Sequence, residues 1–205
     1  CIRDRTKDFD VVQAMFSLAV QIADRLVILL PSPVALLPTV RKLLKERDQV
    51  YASISLKRDD AKRKAHMAFN GGALAEADEE HETLNGLRSE GRLFRWIACS
   101  LAPDEFQELV NAGEKPWPEN TMWFSLWSGV EDWILEALVD VALKQPCEHL
   151  SLHYHGILVS DDRAPDAAAF QAEAERAVQE TTGYTVQLAL KEPRTFSEAL
   201  KLSCR

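Results

Sequence analysis

The stretch Leu150–Ser160, LSLHYHGILVS, constrains the fold more than any other part of the chain. Leu150, Leu152 and Tyr154 alternate with Ser151, His153 and His155. That period of two marks a half-buried strand. Gly156 breaks the run, and Ile157-Leu158-Val159 opens a second β-rich stretch. The pattern predicts a tight hairpin with Tyr154-His155-Gly156 at its tip. Such a tip lifts His155 out of the sheet, where a side chain can meet a ligand. A buried hairpin whose histidines face water fits the pattern equally well.

The flanking segments give the hairpin its partners. Val130, Trp133, Ile134, Ala137, Leu138 and Val141 share one helical face, with Glu131, Asp132, Glu136 and Asp140 mostly on the other. Gln145-Pro146 ends that helix. After the hairpin, Pro165–Thr181 predicts a second helix, with Gly183 beyond its end. Tyr184, Val186, Leu188 and Leu190 then alternate as a returning strand. Helix, hairpin, helix and strand make an α+β unit, with a small antiparallel sheet and helices packed on one face.

The rest reads as helical. Asp8-Phe9-Asp10 precedes an apolar-periodic stretch from Val11 to Ile22, so the acids sit at a helix start, where they cap it and oppose its dipole. Arg25–Leu30 continues that helix or forms a strand, up to Pro31 and Pro33. Leu36 to about Ile54 is helical, with Pro38 in the first turn. Lys57–Asn70 is a basic helix stopped by Asn70-Gly71-Gly72. An acidic helix or loop follows over Ala73–His81. Further helices cover Leu84–Leu101 and Asp104 to about Ala112, before a loop at Gly113–Asn120. Trp117, Trp123, Trp127 and Trp133 cluster in sequence, either as core or as platforms on which bases stack.

At 205 residues and 46% hydrophobic, the chain can bury a core in one domain or two small ones. Its net charge of −8 argues against a simple nucleic-acid binder, but the average hides an asymmetry. Residues 1–70 carry +5 and residues 71–205 carry −13. The basic third suffices for local phosphate binding. No charged-then-apolar leader and no apolar run near a membrane span occurs, so neither secretion nor a membrane is expected. Cys1, Cys99, Cys147 and Cys204 have no paired spacing and read as reduced thiols of an intracellular protein. Opening at Cys1 without methionine reads as a fragment or a trimmed chain. A Gly-X-Ser-X-Gly elbow, a Walker phosphate loop and a dinucleotide fingerprint are all missing, which argues against a conventional hydrolase.

One spacing stands out in the basic helix. Arg58, Lys62 and His66 lie four residues apart, along one face and over about 12 Å. A row of cations that long suits a triphosphate. It also suits a solvated surface face.

Taken in order, these motifs resemble A-family DNA polymerases and their relatives, the single-subunit phage-type RNA polymerases. In that palm a long helix leads into a hairpin with an acid at its tip, and a helix and returning strand follow. The first palm motif, an aspartate, an aromatic and then a helix, is similar to Asp8-Phe9-Asp10-Val11-Val12-Gln13. The fingers helix carries Arg, Lys four residues on, an aromatic four further and then glycine. Arg58, Lys62, His66 and Asn70-Gly71-Gly72 resemble it. The phrases Leu-Pro before a helix, Lys before Asn-Gly-Gly, and Leu-His-Tyr-X-Gly are similar to divergent polymerase-like proteins of viruses and mobile elements.

The resemblance implies a nucleotidyltransferase of DNA replication type. It would bind a nucleic-acid primer–template and nucleoside triphosphates, and use Mg²⁺. Two-metal phosphoryl transfer needs carboxylates from both palm motifs to meet across a cleft. Asp8 would be the first metal-binding carboxylate, with Asp10 the competing choice. Arg58 and Lys62 would hold triphosphate, and His66 would pack near the incoming base or sugar. The implied organisation is a first palm-like motif and helix at 1–30, a helical fingers-like region at 31–125 and a palm-like region at 126–205. The departure is His155, which stands at the catalytic and metal position where the family has aspartate, followed by Gly156. Magnesium prefers hard oxygen donors, so histidine there weakens or abolishes transfer. Asp161 and Asp162 lie beyond the second strand, too far from the tip to substitute. The expectation is a degenerate or partial polymerase-like core.

Two other readings remain. Cys147, His149, His153 and His155 fall within nine residues, and His153 and His155 share a strand face, so they could ligate Zn²⁺. A non-enzymatic interaction module with an acidic C-terminal surface needs no special residues at all.

Overall fold

The computed structural model describes residues 6–27, 36–144, 150–153, 156–160 and 166–191. Among the described residues, eight α-helices and four β-strands make a mostly helical α+β protein. Two compact units form: Cys1–Ala14 together with Val130–Arg205, and Met15–Gly129. The first helix therefore belongs, from Met15 on, with the helical region rather than with the first motif.

The sheet unit holds strands β1 (Thr6–Val11), β2 (Leu150–His153), β3 (Gly156–Ser160) and β4 (Leu188–Lys191), in the spatial order β2-β3-β1-β4. Every neighbouring pair is antiparallel. It follows that β1 runs parallel to β2 with β3 between them, and β3 parallel to β4 with β1 between them. These are two interleaved split β-α-β units. The second crosses over through helix α8 (Ala167–Thr182); the first crosses over through the entire helical region.

A central strand over Thr6–Val11 differs from the helix-capping role expected for Asp8 and Asp10. The reason lies in alternation. Phe9 and Val11 bury almost completely on one face, and the Phe9 ring lies 4.8 Å from that of Phe170 on α8. Ile157, Val159 and Leu188 bury on the same side, next to Phe170, Ala174 and Val178 at helical spacing along α8. The two aspartates consequently point to the other face. Asp166 caps α8 by accepting from the Ala168 N–H at 3.0 Å, and Gly183 ends it in the left-handed region at φ 72°. From α8, Gln171 donates to the Leu188 carbonyl at 2.9 Å and Glu175 accepts from the Leu188 N–H at 2.8 Å. These bonds pin the start of β4. Tyr184 and Val186 bury as the alternation suggests, but precede the strand itself.

The helical unit contains α1 (Ala14–Val27, from Met15), α2 (Pro38–Lys45), α3 (Arg47–Ile54), α4 (Arg58–Phe69), α5 (Glu82–Leu101), α6 (Pro103–Ala112) and the first part of α7 (Pro118–Lys144). The single helix expected over Leu36–Ile54 breaks at Glu46, whose φ of −121° leaves the helical region. α7 is longer than expected, starting inside what reads as a loop. Its C-terminal part buries Val130, Ile134, Ala137, Leu138 and Val141, but Trp133, expected on the same face, is exposed. The aromatic core of the helical unit is a set of edge-on and tilted rings: Phe16–Phe69 at 5.6 Å, Phe69–Trp123 at 6.0 Å and Phe94–Trp123 at 5.3 Å. No helix among the described residues is long and apolar enough to cross a membrane.

A small ion network ties α4 to the loop that follows it. Lys64 Nζ lies 2.8 Å from Asp78 and 3.5 Å from Asp60, and Arg63 donates to Asp60 at 2.6 Å. The Asp78 hydrogen bond raises the Lys64 pKa, and the Arg63 hydrogen bond lowers that of Asp60. The signs follow from linkage. Asp60 stabilises the fold above the ordinary carboxylate range and loses this as pH falls through its depressed value. Lys64 stabilises below the ordinary lysine value, about 10.4, and loses this as pH rises through its raised one. In thermal unfolding across the alkaline range, Asp78→Asn should give a flatter decline of Tm than the native chain; an identical decline would mean that Lys64 takes no part.

Candidate functional site

Strand register positions the first motif against the hairpin. Asp10 on β1 pairs with Gly156 on β3, and Gly156 pairs in turn with His153 on β2. On its other side Asp10 pairs with Ala189. Asp10 is therefore level with Gly156, the first residue of β3 and the last of the expected tip. Asp8 pairs with Leu158, two residues and about 7 Å farther along the strand. Of the two carboxylates, Asp10 is the one beside the tip. Cys147, His149, Tyr154 and His155 lie outside the described residues, and His153 is located by its backbone register alone.

Two features of this face had no sequence signal. Lys191, at the end of β4, approaches Asp10 Oδ2 to 2.7 Å, with the lysine 44% and the aspartate 24% exposed. Nothing local in the sequence could connect residues so far apart; only the β1–β4 register does. The second is Gln13, at the exit of β1. It holds φ 49°, and its buried Oε1 has no hydrogen-bond partner among the described residues. A left-handed non-glycine residue and an orphan buried acceptor are both costly, and they occur together where the strand turns into α1.

The cationic row sits in the helical unit, on α4. Ala61, Ala65, Ala68 and Phe69 bury one face of that helix, which leaves Arg58 and Lys62 exposed. Arg58 leans back toward α3, 3.6 Å from Asp48 and over the Tyr51 ring at 6.0 Å. Burial raises the Tyr51 pKa, against the lowering effect of Arg47 and Arg58. His66 is half-buried, its ring 4.9 Å from that of Phe16 and edge-on to it. The helix ends as its sequence suggests. Gly71 adopts φ 79°, and Gly72 donates to the Met67 carbonyl at 2.8 Å. Arg95 from α5 closes this corner by donating to the Phe69 carbonyl at 2.7 Å.

The donor set can be tested against the metals that the sequence suggests. A two-magnesium centre needs several hard oxygens facing one point. Asp10 instead faces an ammonium group, and the hairpin supplies histidine by sequence. Among the described residues, no group of three or more His, Cys, Asp or Glu side chains could hold a metal ion. The described residues do not fit a two-magnesium centre. Three of the four residues of the zinc alternative, Cys147, His149 and His155, lie outside the described residues.

Comparison with known proteins gave no match to any family model, curated protein or solved structure.

Proposed function

We propose that this chain is a polymerase-like core, palm-like in its sheet unit and fingers-like in its helical unit, with a degenerate metal centre. It binds nucleoside triphosphate and primed nucleic acid and is impaired in nucleotidyl transfer. The observation that carries this reading is the pairing of Asp10 with Gly156. Two-metal chemistry requires the first motif's carboxylate near the hairpin turn, and the Asp10–Gly156 register supports that reading. Asp10, rather than Asp8, takes the role of the first carboxylate. Arg58 and Lys62 are the triphosphate ligands, with His66 near the incoming base or sugar. The degeneracy rests on two residues: His155 in place of an acid, and Lys191 paired with the remaining one.

Primer extension on a labelled primer–template, with Mg²⁺ and with Mn²⁺, tests this. The native chain should not extend. His155→Asp combined with Lys191→Ala restores an oxygen donor and uncovers Asp10, and this variant should extend. Adding Asp10→Asn should abolish the gain. Triphosphate binding by the native chain should fall about tenfold or more in Arg58→Ala/Lys62→Ala, the loss of one or two charge-assisted contacts. Extension by the native chain would refute the degeneracy. No extension by any variant, with no triphosphate binding, would leave a non-enzymatic interaction module in its place.

A further inference from the structure

The tryptophan cluster divides in two. Trp123 and Trp127 are buried, 6.1 Å apart and tilted, against Phe69 and Phe94. Trp117 is 55% exposed and Phe124 66% exposed. Trp117 immediately precedes α7, its carbonyl accepting from the Thr121 N–H at 3.2 Å. Trp117, Asn120, Thr121 and Phe124 then recur at the i, i+3, i+4, i+7 spacing of one helix face. That face borders a cavity of about 650 Å³ within the helical unit, with Trp123 and Trp127 also in its walls. Large exposed aromatics gathered round one cavity forgo burial, and such patches mark binding surfaces.

The lining identifies the kind of ligand. Four aromatic rings surround the cavity, with no leucine, isoleucine or valine among its residues. A second cavity of similar size in the same unit has the opposite character, lined by Leu101, Leu109, Leu126 and Met122 with two glutamates. Aliphatic partners suit the second. Flat rings suit the first, because every ring face stacks on another. The polar side chains at the first cavity are two amides, one hydroxyl and one cation: Asn70, Asn120, Thr121, which donates to the Trp117 carbonyl at 3.3 Å, and Lys115. Asn70 is oriented by weak bonds, accepting from Trp123 Nε1 at 3.4 Å and donating to Met15 Sδ at 3.5 Å. Side-chain amides pair with the donor and acceptor edges of bases. An exposed lysine at the rim suits a phosphate.

We propose that this cavity is a nucleobase site, in which a base stacks on Trp117 and Phe124 and meets the Asn120 amide at its edge. The base comes from a free nucleotide or from an unpaired strand. The proposal goes beyond the function above, since the cavity shares no residue with the Arg58–Lys62 row or with the sheet.

The test is anisotropy of a short labelled oligodeoxyadenylate, set against an abasic strand of equal length and against AMP as competitor. The native chain should bind the adenine strand about tenfold or more tighter than the abasic strand, as base–aromatic stacking predicts. Trp117→Ala/Phe124→Ala should lose that difference while keeping the native Tm, because both rings are exposed. Arg58→Ala/Lys62→Ala should retain it. Competition by millimolar AMP assigns the site to free nucleotides as well; no competition assigns it to strands alone. Equal binding of adenine and abasic strands, or no binding of the strand and AMP by the native chain, would overturn the proposal. So would a base-dependent loss confined to Arg58→Ala/Lys62→Ala, which would leave the triphosphate reading standing.

Discussion

Gly91→Ala should destabilise the helical unit more than alanine at any of its other glycines. Gly91 is buried in α5 where that helix presses against the end of α4. A side-chain carbon at Gly91 would meet the backbone of Phe69, 2.7 Å from its carbonyl carbon and 3.0 Å from its Cα. Backbone cannot rotate away as a side chain can. The same Phe69 carbonyl accepts from Arg95, so relief by moving α4 would also break that hydrogen bond. A cost of about 3 kcal/mol is expected, at the upper end for overpacking. Urea denaturation checks it as a lower midpoint at unchanged slope. Gly86 supplies the control. A carbon there meets the Thr39 side chain, with Cγ2 at 3.0 Å and Cβ at 3.2 Å. Gly86→Ala should therefore be milder and be relieved by Thr39→Ala, whereas trimming side chains should not rescue Gly91→Ala. A Gly91→Ala protein as stable as the native one would mean that the α4–α5 approach is looser than described.

Glu90→Ala should cost about 2–4 kcal/mol, from two charge-assisted hydrogen bonds of about 1.5–3 kcal/mol each that partly share one desolvation term. α2 begins without a cap of its own: Leu37 is apolar and left-handed at φ 59°, and no side chain at that position bonds the first turn. The orphan N–H groups of Thr39 and Val40 are met by Glu90 of α5, at 2.6 and 3.0 Å. Its buried carboxylate also sits at the positive end of the α2 dipole. Glu90→Gln keeps one acceptor and should lose about half as much. Thermal unfolding of both variants discriminates. If they are equal, the charge carries the effect; if neither moves Tm, α2 is capped by solvent.

Much of this architecture was readable from local chemistry, and the failures share a cause. The hairpin strands, the α8 stop at Gly183 and the α4 stop at Asn70-Gly71 each depend on a few adjacent residues, whereas α8 starts at Ala167 with Asp166 as its cap and not at Pro165. Thr6–Val11 has only Phe9 and Val11 as a buried alternating pair, and acids ahead of an apolar stretch mimic a helix cap. Its place at the centre of the sheet depends on strands formed by residues 156–160 and 188–191, which no local window contains. α7 hid its length because residues Trp117–Gly129 are apolar on several faces at once: some serve the core and others the cavity. Of the candidate site, Asp8, Asp10, Arg58, Lys62 and His66 were identifiable as residue types. That Asp10 is level with Gly156 and pairs with Lys191 needed the register.

The interleaved sheet also sets an order of events during synthesis. Of the described strands β1 emerges before the others, and its two neighbours, β3 and β4, emerge only after the whole helical region. Until then the strand has no ladder to join, and closing the sheet means closing a loop of well over a hundred residues, a slow, high-contact-order step. The helical region has its own core and need not wait. The growing chain would therefore carry an assembled helical body between a waiting strand and its unmade neighbours. For that interval β1 keeps unpaired edges. If two copies meet then, each can lend the other its first strand.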